Sequence, residues 1–334
     1  MIKLDHVNWG MIGCGQVTEN KSGPAFNKIA NSNLVGVMCR NETKVSDYAK
    51  RHQIKKYFTN ADQLINDAEI NAIYIATPPN MHAEYAIKAM LAGKAVYVEK
   101  PMARKYQECL EMQQVRKSTQ IPLFIAYYRR ALPYFLKIKD ILKSNCLGKI
   151  YEINTTLFKK PRNTDSDQIN RPWRVKPDIS GGGYFYDLAS HQLDIFDLYF
   201  GQGTLQSSQV LNLAGLYDAE DTVAAEIAYG DTLLKGKWSF IVQAEEEYDR
   251  TIFKAEYGEL AFSFFSQEAI ELTLNGKIER WEIKAPEHIQ MPMIELIVNE
   301  LIGKGNAPSN LSAAIRTNKL MEDIVKPYYT IDKA

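Results

Sequence analysis

The sequence predicts an α/β fold class: a parallel sheet of βαβ units first, then an α+β region with a mostly antiparallel sheet. Three observations predict it. Over the first 128 residues, short apolar runs alternate with helical patterns. Between Leu205 and Ile283, β-rich runs are separated by turn signals at Tyr229-Gly230-Asp231, Tyr257-Gly258 and Asn275-Gly276. Finally, 334 residues suffice for two domains. The expected domains are 1–130 and 131–334, with the boundary near Arg129–Tyr134.

Val7–Ile12 is a first strand, closed by a glycine-rich turn. Pro24–Ala30 is helical, with Pro at its first turn. Leu34–Cys39 is a second strand, followed by helical patterns over Thr43–His52 and Asn60–Ile65. Ala72–Ala76 and Ala95–Val98 are strands flanking a helix over Met81–Leu91 that stops at Gly93. Ala103–Ser118 is helical and Pro122–Tyr128 strand-like. The strands are nearly continuous apolar runs, as strands covered on both faces are. Leu132–Asn145 is helical and Ile150–Phe158 alternates like a strand. The polar, basic stretch Lys159–Lys176 precedes a long helix over Gly183–Phe200. Val223–Tyr229, Thr232–Val242, Tyr248–Ala255, Glu259–Phe265 and Ala269–Leu274 read as an antiparallel meander. Helices over Met293–Ile302 and Asn310–Val325 close the chain.

Forty basic and forty acidic residues cancel, so no general attraction to nucleic acid or anionic lipid is expected. No apolar run reaches the roughly 18 residues of a membrane helix, and the first residues lack the apolar core of a secretory signal. Cys14, Cys39, Cys109 and Cys146 are scattered, with no CxxC pair and no metal-ligand cluster. A cytoplasmic protein with reduced cysteines and no bound metal is expected. Alternating apolar residues from Val223 to Leu274 also predict a sheet face that must be covered, and hence a homodimer or homotetramer.

The run Gly10-Met-Ile-Gly13-Cys-Gly15-Gln16-Val17-Thr18 closes the first strand. Gly13 permits a tight turn and Gly15 lets the backbone approach a pyrophosphate, as in a Rossmann dinucleotide site. The third glycine of that fingerprint is Thr18, and an ordinary strand-to-helix turn is the alternative. A carboxylate ending the second strand would bind the adenosine ribose hydroxyls. Here Cys39-Arg40 stands instead, and Arg40 can clamp a 2′-phosphate, so NADP is expected with NAD possible. A solvated loop role is the alternative for Arg40.

With that loop, Ile75-Ala-Thr77-Pro78-Pro79-Asn80-Met-His82, Glu99-Lys100-Pro101 and Gly181-Gly-Gly-Tyr-Phe-Tyr-Asp187-Leu-Ala-Ser-His191-Gln-Leu-Asp194 follow in a distinctive order. The chain resembles the glucose–fructose oxidoreductase, inositol dehydrogenase and rhizopine-catabolism (Gfo/Idh/MocA) family over essentially its whole length. The resemblance implies an N-terminal Rossmann domain and a C-terminal domain with a large, open, mostly antiparallel sheet. It implies that Gly13, Gly15, Gln16 and Val17 lie on the phosphates. It also sets Thr77, Pro78, Asn80 and His82 along the cofactor, and Glu99 and Lys100 at the nicotinamide end. Asp187 and His191 match the substrate-side acid/base pair. Two positions depart from the family pattern: Ala189 replaces a glycine, and Tyr128 replaces an asparagine before Arg129-Arg130. Tyr128 and Arg129 fall on the substrate side.

Alcohol oxidation sends a hydride to the cofactor and leaves the protein a proton and a developing negative charge. A lysine can stabilise an alkoxide, and a histidine, titrating near neutrality, can shuttle the proton. Asp187 and His191 stand at i, i+4 and share a helix face, with Asp194 three residues further on. A purely structural Asp-His-Asp network is the alternative, and Lys100 and His191 can exchange roles. Trp173-Arg174 can line a sugar pocket or pack a domain. The expected function is NAD(P)-dependent hydride transfer to or from a hydroxyl or carbonyl carbon of a sugar, polyol or sugar derivative. The alternatives are an NAD-linked inositol or dihydrodiol dehydrogenase, and a non-catalytic nucleotide-sensing regulator.

Overall fold

A computed structural model describes residues 3–330 except Gln168 and Gln267. Met1 and Ile2, which begin the segment read as lacking a secretory signal, and 331–334, which end the second expected domain, lie outside the described residues. The chain divides into two compact units. One comprises Met1–Leu132 and Pro286–Ile315, the other Pro133–Ala285 and Arg316–Ala334.

The first unit alternates β1 (Val7–Ile12), α1 (Gln16–Asn20), α2 (Ala25–Lys28), β2 (Ser32–Met38), α3 (Glu42–Arg51), β3 (Lys56–Phe58), α4 (Ala61–Ile65), β4 (Ala72–Ile75), α5 (His82–Leu91), β5 (Ala95–Val98), α6 (Tyr106–Thr119) and β6 (Leu123–Ile125). Among the described residues these strands form one parallel sheet of order β3-β2-β1-β4-β5-β6. Every residue of β4, β5 and β6 is buried, which explains their unbroken apolar runs. Ile73, Ile75, Val96 and Val98 pack with Leu64, Ala86, Met90 and Met112 of the helices. Asn41 and Asn60 cap α3 and α4 through their side-chain oxygens. Strand order reverses between β1 and β4, which opens a crevice at their carboxyl ends where α/β sheets bind ligands.

The second unit begins with α7 (Pro133–Lys143), β7 (Ile150–Phe158), α8 (Pro177–Ser180) and α9 (Tyr184–Phe200). It continues with β8 (Thr204–Leu211), β9 (Thr222–Tyr229), β10 (Thr232–Ser239), β11 (Tyr248–Ala255), β12 (Gly258–Phe262), β13 (Ile270–Leu274) and β14 (Lys277–Trp281). α10 (Met291–Leu301) returns the chain to the first unit, and α11 (Leu311–Thr330) starts there and ends in the second. The second sheet has order β14-β13-β12-β11-β7-β10-β9-β8. The single meander expected from Val223 to Leu274 is therefore corrected. β10 and β11 are consecutive in sequence, yet β7 lies between them, parallel to β10 and antiparallel to β11. Two local meanders flank one early strand, because the stretch joining β10 to β11 is not a tight hairpin turn but carries a short 3₁₀ turn, Ala244–Glu246.

The alternating apolar residues of this sheet face α9. Phe185 meets Trp238 edge-on at 5.1 Å, and Phe196 lies 6.3 Å from Phe253. The other face carries ion pairs. Glu152 pairs there with Lys235 and Lys254, and Glu271 with Arg250 and Arg280. No helix among the described residues is long and apolar enough to cross a membrane.

Candidate active site

The turn after β1 is built around Gly13. Its φ is +108°, and its N–H donates to Met38 O at 2.8 Å. A Cβ at this position would lie 2.7 Å from Ala76 O, so the turn closes against the end of β4 only as glycine. Gly15 N-caps α1, and a Cβ built on it meets nothing within 4 Å, so its surroundings are open. Gln16 and Val17 form the first turn of α1. Thr18 is buried where the fingerprint has its third glycine. Its hydroxyl donates back to Gly15 O at 2.7 Å, and Tyr48 OH donates to Thr18 O at 2.7 Å. The loop is thus braced from beneath.

Beyond β4, Thr77 Oγ1 is buried with no hydrogen-bond partner among the described residues. Pro78 is extended, and Asn80 sits in a 3₁₀ turn, Pro79–Met81. His82 begins α5 and is fully buried. Its Nε2 lies 2.8 Å from Thr77 O and its Nδ1 2.9 Å from Pro101 O. Burial pushes its pKa down, while the two carbonyls favour the charged ring. The imidazole thereby links the Thr77 segment to the Lys100-Pro101 segment, whose peptide bond is cis. At the end of β2, Cys39 is half-buried and Arg40 exposed. Arg40 has no ion pair among the described residues.

Glu99 follows β5, and its N–H donates to Ile75 O at 2.9 Å. Its carboxylate points into a buried polar network. Oε1 accepts from Tyr74 OH at 2.7 Å and from Gln290 Nε2 at 2.6 Å. Oε2 accepts from the Lys100 amide at 3.3 Å. Tyr97 OH donates to Gln290 Oε1 at 3.0 Å, and Tyr74 OH also lies 3.0 Å from Ser22 Oγ. The network fixes the backbone that presents Lys100. Gln290 escaped the sequence reading, since nothing local marks a residue 191 positions from its partner. Tyr128, Arg129 and Arg130 are buried in the 3₁₀ turn after β6, with Arg129 Nη1 donating to Tyr128 OH at 3.1 Å.

In the second unit the glycine run leads into α9. Gly183 donates to Glu220 Oε1 at 2.7 Å, and a Cβ there would lie 2.4 Å from Glu220 O. Tyr329 OH donates to Glu220 Oε2 at 2.6 Å. Burial raises the Glu220 carboxyl to about 7. Mid-helix, Gln192 accepts from Trp238 Nε1 at 2.7 Å and donates to Thr155 Oγ1 at 3.1 Å, locking α9 onto the sheet centre. Arg316 grips Asp197 at 2.8 Å through both Nε and Nη2. This framework presents Asp187, His191 and Asp194 on one helix face. Asp187 Oδ2 accepts from Arg174 Nε at 2.9 Å, and the same guanidinium lies 4.4 Å from the Trp173 ring centroid. His191 is buried, with its ring 6.4 Å from that of Phe265. Arg174 as partner of Asp187, Glu220 and Gln192 all escaped the sequence reading. Their partners lie 13 to 109 residues away, beyond any local periodicity.

Residues 7–127 match the family model described as oxidoreductase family, NAD-binding Rossmann fold, and residues 135–260 match the GFO/IDH/MocA C-terminal domain. The chain is 41% identical over 325 residues to oxidoreductase P35 of Formosa agariphila, covering 95% of this chain and 97% of that protein. Its fold is similar to that of a levoglucosan dehydrogenase solved with NADH and levoglucosan (TM-score 0.86, 18% identity, 96% of this chain and 97% of that one). It is also similar to a 3-ketoreductase from Actinomadura kijaniata solved with NADP and TDP-benzene (TM-score 0.83, 15% identity, 96% and 98% covered).

Proposed function

Because the chain belongs to the Gfo/Idh/MocA oxidoreductase family, we propose that it transfers hydride between NADP and a CH–OH or carbonyl carbon of a sugar, polyol or sugar derivative. One observation carries this reading most directly. Lys100 leaves the carboxyl end of β5 on a backbone held by the Glu99, Tyr74 and Gln290 network. The residues present fit a dinucleotide. Gly13 takes a φ that suits glycine, Gly15 is open, and Thr77 Oγ1 is buried without a partner. Gly13, Gly15, Gln16 and Val17 would hold the phosphates, Thr77, Pro78, Asn80 and His82 the segment beside them, and Glu99 and Lys100 the nicotinamide end. Cys39 and Arg40 would meet the ribose, and the exposed, unpaired Arg40 supports NADP over NAD.

When bound, the nicotinamide supplies the hydride acceptor or donor. Lys100 would stabilise the oxygen as charge develops on it, and His191 would carry the proton, or the two would trade these roles. Asp187, held by Arg174, would stand one turn before His191 on the same helix face and help orient its ring. Tyr128, Arg129 and Trp173 would contact the substrate. The first unit takes the cofactor role and the second the substrate role. We place the protein in the cytoplasm, where its four free cysteines stay reduced. Sedimentation at micromolar concentration tests the expected homodimer or homotetramer, and a monomer refutes it.

The deciding experiment is a cofactor-reduction screen over sugars and polyols with NAD and NADP. Lys100→Ala and His191→Ala should each lower turnover of the best substrate, by about 10²–10⁴-fold where proton transfer is lost, with cofactor binding retained. Parent rates in both variants would show the site is misplaced. Tight cofactor binding with no turnover of any substrate would point to the regulator instead.

A further inference from the structure

The second unit contains a cavity of about 510 Å³ whose walls combine Lys159, Lys160 and Arg162 with the rings of Tyr184, Phe240 and Phe265. That size lies within the range of small-molecule sites, about 300–1,000 Å³. Three cations meet a single carboxylate in this lining, Glu247, which is exposed and accepts a backbone bond from Lys160 at 3.1 Å. Among the described residues, none of the three cationic side chains forms an ion pair. Other lysines of the same unit do: Lys149 meets Asp231, and Lys235 and Lys254 meet Glu152. Uncompensated cations lining a cavity favour an anionic guest.

The wall is also held in shape. Buried Asp165 accepts from the Arg162 backbone at 2.8 Å and from Tyr184 OH at 2.5 Å. That clip keeps the Arg162 guanidinium 4.6 Å from the Tyr184 ring centroid. The cavity shares the helix face that carries the candidate catalytic histidine. Tyr184, Leu188 and His191 stand at i, i+4 and i+7 of α9, and Phe265 both lines the cavity and meets the His191 ring. Aromatic walls suit the apolar face of a sugar ring, and a planar guanidinium with two ammonium groups suits an oxyanion.

Resting on the proposed oxidoreductase function, we propose that this cavity selects an acidic carbohydrate, a sugar ring carrying a carboxylate, phosphate or sulfate, with Lys159, Lys160 and Arg162 gripping the oxyanion. A neutral sugar would leave the three cations unanswered. The guest's ring packs against Tyr184, Phe240 and Phe265, which brings its hydroxyl-bearing carbons toward the His191 face of α9.

Calorimetric titration of the NADP-saturated full chain tests this. The probes are D-glucuronate, D-glucose 6-phosphate and D-glucose 6-sulfate, with D-glucose as neutral reference. At least one anionic probe should bind about tenfold or more tightly than glucose, weaken as salt rises, and identify which oxyanion is preferred. Arg162→Gln with Lys160→Gln should remove that preference while NADP affinity, which reports a folded chain, stays at the parent value. Glucose binding as tightly as every anionic probe, or a preference that survives the double substitution, overturns the proposal. Selective binding of an anion without turnover of any sugar supports the cavity assignment and counts against the oxidoreductase reading. Turnover of neutral sugars with no anion selectivity overturns the cavity assignment and leaves that reading standing.

Discussion

Glu220 is a buried carboxyl that stays protonated at pH values where most glutamates are ionised. Its carboxyl rises from 4.5 to about 7, with burial the main cause and the bonds from Tyr329 and Gly183 opposing it. The folded chain therefore binds an extra proton between those two values, and stability falls as pH climbs through that window. The full effect is about 3.5 kcal/mol as an upper figure, at about 1.4 kcal/mol per unit. Glu220→Gln keeps the neutral form, so denaturant midpoints should make the variant the more stable protein at about pH 8 and leave little difference at about pH 5. Equal responses of parent and variant to pH would remove Glu220 from the explanation. In the first unit, Arg40→Ala should weaken NADP by about 1–3 kcal/mol and NAD far less, read by fluorescence titration of each cofactor. Equal losses for both would assign Arg40 to the solvent. At this scale Lys100, Asp187 and His191 stand out as candidates in the sequence because they lie in compact motifs. Glu220 and Gln290 stayed hidden because their meaning lies in partners 37 and 191 positions away.

Among elements, the buried strands were legible, and three of the four outer strands were not. β4, β5 and β7 read directly from apolar runs or alternation. β3, β8 and β14 went unnamed, and each is an outer strand of its sheet. An outer strand has one unpaired flank and less burial, so it carries little hydrophobic signal: every residue of β14 but Trp281 is exposed. α1, of five residues, is too short to show a helical period. The start of α9 is sensitive to one methyl group. Gly183→Ala would set a Cβ 2.4 Å from Glu220 O, a backbone atom with little room to yield. The expected outcome is a loss of about 1–3 kcal/mol in denaturant unfolding, together with reduced turnover and near-normal cofactor affinity. A silent substitution would mean that the glycine run is not what seats the helix.

For the molecule as a whole, the sequence disclosed two sheets but not their wiring. The insertion of β7 between β10 and β11 is a long-range pairing that no local pattern announces. It makes β7 the strand on which both meanders depend. Asn154→Pro would delete a ladder donor at the sheet's centre, and hydrogen exchange should then accelerate in β8–β10 and in β11–β14 together. Ile278→Pro on outer β14 should loosen only its own hairpin. Protection lost on one side alone after Asn154→Pro would show that the halves are independent. The return of Pro286–Ile315 to the first unit has a consequence for a chain still on the ribosome. Gln290, which steadies the backbone beneath Lys100, is translated long after the strand it supports. A nascent or prematurely terminated chain can complete every strand of its first sheet and still lack that support, so the backbone at Lys100 is set in place only once nearly the entire message has been read.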